Sequence, residues 1–154
     1  GGCRDAGDRE RVAALQQLCR TLGLQEEGAE GADKDWDVSF RTNISFAEMQ
    51  TLLGQASVGL HTMREEHFGI GVVEFMAAGA IALAHKSGGP LMDIVTPFQG
   101  QKTGFLASDE ASYAAALREI FSLSEEERLR MAKAARESGR DRFSQEAFQE
   151  AIAA

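Results

Sequence analysis

Residues 57–85 read SVGLHTMREEHFGIGVVEFMAAGAIALAH, and the order of apolar and polar runs in this stretch decides the fold. Residues 57–62 form a compact apolar run that ends in polar side chains, which predicts a strand. After a charged loop broken by glycine, residues 71–80 are almost entirely apolar, which predicts a helix buried on most sides. Residues 81–85 predict a second strand. The stretch therefore forms a strand–helix–strand unit.

Further elements of the same kinds flank this unit. Upstream, the pattern predicts helices over 8–22 and 46–56, the latter with Ser45 as its N-cap, and a short strand over 38–40. Downstream, it predicts a helical turn over 91–95, a strand over 103–107, and helices over 111–123, over 124–139 and from Ser144. The strands are continuous apolar runs, which is typical of a parallel sheet buried on both faces. We therefore predict an α/β fold, a Rossmann-like parallel sheet between two layers of helices, with further helices at the C-terminus.

Length and charge limit the class of protein. The chain has 154 residues, a net charge of −8 and 44% hydrophobic residues, which suits one domain over residues 1–154. The acidic balance argues against a nucleic-acid partner, because neutralising phosphates requires clustered basic residues. No apolar run approaches the roughly 20 residues that span a bilayer. Because the chain begins with Gly-Gly rather than Met, we expect it to be a piece of a longer protein.

Residues 25–37, QEEGAEGADKDWD, predict an acidic surface loop. Within this loop Asp33, Lys34 and Asp35 spell DxD, a pattern that can hold a metal ion. A magnesium ion that binds substrate phosphates needs carboxylates fixed at the end of a strand. This motif does not follow a buried strand, so we expect no metal site here.

Polar residues concentrate in two loops that follow predicted strands, HTMREEHFGIG at 61–71 and HKSGGP at 85–90. In open parallel sheets, ligands bind outside the carboxyl ends of the strands, so we expect the functional site there. Phe68-Gly69-Ile70-Gly71 marks the point where the first loop becomes a helix. Free N–H groups at a helix start favour an anion such as a phosphate. Tight packing of the loop accounts for the glycines equally well.

Two glutamates, Glu66 and Glu74, stand eight positions apart across this loop. Glu74 lies in the first turn of an apolar helix, and a buried carboxylate needs partners. It either caps backbone N–H groups or accepts hydrogen bonds from a ribose diol, as acidic residues do in other α/β nucleotide sites. Glu66 either points into the same cleft or belongs to a solvated charged loop.

The E-x7-E spacing and the stretch EHFGIGVVEFMAAGAIALAHKSGGPLMDIV resemble the donor-site signature of GT-B glycosyltransferases of the large retaining family 4. The stretches GGCRDAGD, DIVTP and TGFLA extend the resemblance from residue 1 to about residue 150, toward members that transfer mannose to lipid-linked oligosaccharides. The resemblance implies the C-terminal, donor-binding half of a GT-B fold. It also implies a retaining α-1,2-mannosyltransferase that uses GDP-mannose in the assembly of N-glycan precursors.

The resemblance further implies a role for each residue that matches the motif. Glu66 would contact the transferred mannose near the reacting centre, and Glu74 would hold the ribose hydroxyls of GDP. The other implied contacts are the amides of Phe68, Gly69, Ile70 and Gly71 at the diphosphate and sugar, His61 and Thr62 in the cleft, and Gly88 and Gly89 on its opposite wall.

Partners and location follow from the resemblance alone. The acceptor would be a dolichol-diphosphate-linked oligosaccharide, bound by an N-terminal domain that is missing from this chain, and a missing segment would attach the protein to the membrane. We expect the cytosolic face of the endoplasmic reticulum membrane, no cofactor or metal, and no activity of this piece alone. Two alternatives stay open: a family-4 enzyme with another nucleotide-sugar donor, and a non-catalytic Rossmann-like binding module. An NAD-dependent oxidoreductase is disfavoured, because GIGVVE lacks the third glycine of a dinucleotide fingerprint.

Overall fold

The computed structural model describes residues 2–28 and 36–153, and the chain divides into two compact units, residues 1–49 and 50–154. The described helices are α1 (Ala6–Thr21), α2 (Phe46–Gln55), α3 (Ile70–Ala78), α4 (Glu110–Ser122), α5 (Glu125–Phe143) and α6 (Gln145–Ala153). The described strands are β1 (Val58–His61), β2 (Ile81–His85) and β3 (Gly104–Ala107), and Pro90–Ile94 forms a single π-helical turn in place of the helical turn predicted over 91–95. The other predicted helices are confirmed, with shifts of a few residues at their ends.

In the first unit, the predicted strand over 38–40 is wrong. Val38 alone pairs, in an isolated parallel bridge with Glu26. Its backbone N–H donates to the Gln25 carbonyl oxygen at 3.0 Å, and its carbonyl oxygen accepts the Glu27 N–H at 2.9 Å. Beyond it, the Ser39 hydroxyl and the Arg41 guanidinium bind the carboxylate of Glu27. The backbone pairing therefore stops at one residue, which the pattern Val-Ser-Phe does not reveal.

The predicted acidic loop over 25–37 is described only at its ends. There the Gln25 amide donates to the carboxylate of Asp37 at 2.8 Å. Residues 29–35, which include the DxD motif, lie outside the described residues, so the predicted absence of a metal site there stays a prediction.

In the second unit, β1, β2 and β3 form a parallel sheet in that order, which confirms the predicted parallel arrangement. Gly59 of β1 lies beside Ala82, and Leu83 lies beside Phe105 of β3. Residues 81–84 of the central strand are all buried. The continuous apolar run in the sequence therefore corresponds to a strand covered on both faces.

Alternate residues of β2 face two separate apolar layers, which confirms the three-layer prediction. On one face, Ala82 and Ala84 pack in a cluster with residues of α3, α5 and the π-helical turn, namely Val72, Val73, Met76, Ala135 and Ile94, and with Val95 beyond that turn. On the other face, Ile81 and Leu83 pack with residues of β3, α4 and α5, namely Phe105, Ala107, Ala116, Ile120 and Met131. Helices thus cover both sides of the sheet, and the sheet presents the carboxyl ends of its strands at one edge.

Capping residues in the sequence determine where α4 and α5 begin. Asp109 and Ser112 form a reciprocal capping box at α4, and Ser124 and Glu127 form another at α5. α5 continues to Phe143, past the end predicted at residue 139.

Among the described residues, no helix combines the length and apolar character needed to cross a bilayer.

α3 ends at Gly79, which takes the left-handed conformation with φ of +89°. The guanidinium of Arg136, on α5, donates to the carbonyl oxygens of Ala77 at 3.1 Å and Ala78 at 3.2 Å. These carbonyls belong to the last turn of α3 and have no partner within the helix. Arg136 therefore caps the C-terminus of α3, and the N-terminus of the same helix lies at the predicted site.

Replacing Arg136 by alanine is expected to lower the free energy of unfolding by about 1 kcal/mol, because two carbonyl groups lose a charged donor. The exposed Arg130 on the same helix forms an ion pair with Glu126, one turn away, at 3.0 Å. Arg130→Ala is therefore the matched control, with an expected loss of about 0.3 kcal/mol. Urea unfolding of both variants measures the difference. Equal losses would show that the bonds to Ala77 and Ala78 contribute nothing beyond a surface ion pair.

Candidate functional site

The two polar loops of the sequence lie at the same edge of the sheet. Residues 62–69 follow β1 and residues 86–89 follow β2, and these two strands are parallel neighbours with His61 beside Ala84. Ligands bind at such an edge in open α/β sheets. The predicted site residues therefore belong to adjacent strand ends and to the start of α3.

Gly88 and Gly89 bring the second loop into direct contact with the first. The Gly89 N–H donates to the Glu66 carbonyl oxygen at 2.8 Å. A Cβ atom at Gly88 would lie 2.1 Å from that oxygen, and one at Gly89 would lie 2.1 Å from the carbonyl oxygen of Phe68. The resemblance places both glycines on the opposite wall of the cleft, and that role stays a prediction. In the structure they pack against the glutamate loop, because the absence of Cβ atoms lets the two backbones touch.

Glu66 and His61 lie side by side at the end of β1. Nε2 of His61 is 3.8 Å from Oε2 of Glu66, and the two side chains are 18% and 25% exposed. Nδ1 of His61 is buried and has no hydrogen-bond partner among the described residues, which is uncommon for a buried nitrogen. The structure thus places side by side two residues to which the resemblance assigns one cleft. Thr62, the next residue, is exposed.

Tyr113 supports this strand end from α4. Its hydroxyl donates to the carbonyl oxygen of His61 at 3.0 Å. Burial raises the pKa of the Tyr113 hydroxyl, and the positive charge of Arg64 acts weakly in the opposite direction. The phenol therefore stays protonated and keeps its hydrogen bond. No sequence pattern pointed to Tyr113, because 52 positions separate it from its partner.

The start of α3 matches the predicted anion cradle in its backbone. Gly69 is the N-cap, buried and left-handed with φ of +103°, and no side chain caps the helix. The first N–H groups of a helix have no partner inside it, so those of Ile70 and Gly71 remain available to an anion. Phe68 packs edge-on against Phe143, with ring centroids 5.4 Å apart. Ile70 is 64% exposed, beside the amides that would face a ligand.

Glu74 differs from its predicted setting. It is half-buried rather than buried, and it lies in the second turn of α3 because the helix begins at Ile70. Its carboxylate forms no hydrogen bond or ion pair with another described residue. The capping alternative therefore has no support, and the carboxylate is free to accept hydrogen bonds from a ligand. Its contact with a ribose stays a prediction.

A cavity of about 700 Å³ lies between β3 and α4 and reaches the first residue of the second loop, Lys86. Polar side chains at its wall include Lys86, Lys102 and Glu119, and none of the predicted site residues lines it. This cavity is therefore distinct from the residues predicted to bind the donor.

Comparison with known proteins identifies the family. Residues 6–138 match the family described as Glycosyl transferases group 1. The chain belongs to this family. It is 52% identical, over 99% of its length, to the GDP-Man:Man(3)GlcNAc(2)-PP-Dol alpha-1,2-mannosyltransferase of Mus musculus, and 50% identical over 97% of its length to the Homo sapiens protein of that name. It spans only 29% and 28% of the length of these two group 1 relatives.

Solved structures share the fold of this group 1 chain. HepE of Anabaena, in complex with UDP-glucose, superimposes with a TM-score of 0.73 at 26% identity, over 96% of this chain and 37% of HepE. The C-terminal domain of LpcC, a group 1 protein of Francisella tularensis, gives a TM-score of 0.68 at 18% identity, over 92% of this chain and 66% of that domain. The predicted family and the predicted C-terminal half of a GT-B fold are confirmed.

Proposed function

We propose that this chain is the donor-binding half of a retaining α-1,2-mannosyltransferase that moves mannose from GDP-mannose to a dolichol-diphosphate-linked oligosaccharide. The observation that carries the proposal is the 52% identity over 99% of the chain to the Mus musculus protein named for this reaction. The geometry supports it, since a free helix start and two half-buried glutamates occur at the edge of the sheet where α/β proteins bind nucleotides.

In this proposal each predicted residue has a distinct task. The Glu66 carboxylate contacts the mannose near the bond that breaks, and Glu74 accepts hydrogen bonds from the ribose. The amides of Phe68, Gly69, Ile70 and Gly71 receive the diphosphate and the sugar, where the helix dipole favours negative charge. The remaining lining comes from His61, Thr62, Gly88 and Gly89.

The rest of the catalytic machinery is proposed to lie outside this chain. An acceptor-binding half would face the site described here, and a loop upstream of this chain would bring an arginine and a lysine to the departing diphosphate. We propose no metal or other cofactor for the transfer, because helix amides and those cations supply the required electrostatic stabilisation. A dolichol-linked acceptor is held in lipid by its isoprenoid chain. The reaction is therefore proposed at a membrane, the cytosolic face of the endoplasmic reticulum, within N-glycan assembly.

Thermal unfolding of the full-length protein with GDP-mannose or UDP-glucose tests the donor. At ten times its Kd, a ligand that binds only the folded state stabilises it by about 1.4 kcal/mol. We expect GDP-mannose to stabilise the protein by this amount. UDP-glucose at equal concentration should raise the midpoint temperature of unfolding far less. Glu74→Ala should remove most of the shift, because the ribose loses its acceptor.

One alternative predicts another outcome of this titration, and the other predicts another outcome of a transfer assay. A family member with another donor, which the likeness to the HepE complex with UDP-glucose favours, would be stabilised more by UDP-glucose. A non-catalytic module would bind GDP-mannose yet transfer no mannose to a dolichol-linked acceptor in the full-length protein. Either result would replace the proposed function.

A further inference from the structure

Ser87 joins the two loops of the site through one hydroxyl group. Its Oγ accepts the N–H of Glu65 at 2.9 Å and lies 2.8 Å from Nδ1 of His85. His85 is the last residue of β2, whereas Glu65 belongs to the loop after β1. The hydroxyl therefore ties the ends of two neighbouring strands, and the imidazole determines where that hydroxyl points.

Glu65, which donates this hydrogen bond, has a strained backbone. The backbone of Glu65 is in the left-handed region, with φ of +52°. Residues other than glycine, asparagine and aspartate rarely adopt this conformation. Such residues persist only where their surroundings hold them. The bond from the Glu65 amide to Ser87 is one such restraint, and it crosses 22 positions of sequence.

Glu66 follows directly, and its orientation depends on that restraint. Its carbonyl oxygen accepts the Gly89 N–H at 2.8 Å, so the second loop holds the chain on both sides of the Glu66 Cα. The Glu66 side chain is 25% exposed and 3.8 Å from His61. A change of conformation at Glu65 would rotate this carboxylate away from that place.

We propose that Ser87, oriented by His85, is a positioning residue that aims the Glu66 carboxylate for sugar transfer. The proposal rests on the proposed function of Glu66 at the mannose. Ser87 acts through the backbone of Glu65 and does not bind the donor itself. Its loss should therefore affect the transition state, in which the position of the carboxylate matters, more than the binding of GDP-mannose.

Kinetics of the full-length protein test this distinction. Ser87→Ala is expected to lower kcat about tenfold and to leave KM for GDP-mannose within about twofold. Ser87→Thr keeps the hydroxyl and should stay within about threefold of the parent kcat. Ser122→Ala is the matched control, since it removes an exposed serine hydroxyl that donates to the Glu119 carbonyl oxygen at 2.7 Å on α4. It should change neither constant.

A second substitution separates positioning from contact with the donor. Asparagine tolerates the left-handed conformation, so Glu65→Asn in the Ser87→Ala background should recover about threefold in kcat relative to Ser87→Ala alone. A rise in KM with unchanged kcat, or no rescue by Glu65→Asn and Ser87→Thr, would overturn the proposal. If Ser87→Ala does not fold, Ser87→Cys replaces it, because a thiol is of similar size but accepts weakly.

Amide hydrogen exchange decides the point without any donor. In Ser87→Ala the exchange rate of the Glu65 amide should rise by about tenfold or more, because its acceptor is lost. If the parent protein transfers no mannose from GDP-mannose, the proposed function fails, whereas an unchanged exchange rate in the variant refutes the positioning role alone. The two failures are thus distinguishable.

Discussion

Replacing Glu66 by glutamine is expected to abolish mannose transfer by the full-length protein while leaving its affinity for GDP within about twofold. The amide keeps the shape of the side chain but carries no charge, and loss of one electrostatic contact at a reacting centre lowers kcat by about 100-fold or more. The backbone bond from Gly89 to the Glu66 carbonyl oxygen is unaffected by the change. A transfer assay with labelled GDP-mannose and a GDP titration measure the two effects.

The neighbouring glutamate provides the control for this variant. Glu65 is exposed, and Glu65→Gln removes the same charge one residue away, so transfer should stay within about twofold of the parent. If Glu66→Gln transfers mannose as fast as the parent, Glu66 has no place at the reacting centre. If GDP affinity falls as far as kcat, Glu66 binds the nucleotide instead.

Much of the central unit could be predicted from the sequence because its signals are local. β2 runs from Ile81 to His85 as predicted, since a fully apolar run there stands between Gly79 and a polar loop. Glu66 and His61, in contrast, were assigned to one cleft by the family resemblance alone, and their side chains lie 3.8 Å apart in the structure. Apolar patterning and the flanking glycine sufficed for β2, whereas the placement of these two side chains needed the resemblance.

Other features could not be predicted, because they depend on contacts between distant segments. Tyr113 reaches the His61 carbonyl oxygen across 52 positions, and Ser87 reaches the Glu65 amide across 22. The sequence did single out the loop that contains Ser87, and a hydroxyl at a strand end is a signal that could have been used. The sequence pattern overestimated the burial of Glu74, because a helix of mostly apolar residues can still leave one of its side chains partly exposed.

Replacing Gly89 by alanine is expected to disrupt the site and to lower the free energy of unfolding by about 3 kcal/mol or more. Gly89 has φ of −55°, which any residue adopts, so the cost arises from contact alone. The new Cβ would lie 2.1 Å from the carbonyl oxygen of Phe68 and 2.7 Å from that of His67. Backbone atoms cannot rotate away as a side chain can, so one of the two loops must move.

Movement of either loop breaks the bond from the Gly89 N–H to Glu66 and shifts the predicted sugar contact, so stabilisation by GDP-mannose should be lost as well. The control is Gly54→Ala in α2, which is exposed and would place its Cβ with nothing within 4 Å. That change should stabilise the chain by about 0.5 kcal/mol, because alanine favours a helix. Urea unfolding of both variants, with and without GDP-mannose, compares them. If Gly89→Ala is as stable as Gly54→Ala, the close contact between the two loops does not exist in solution, and Glu66 must be positioned by other means.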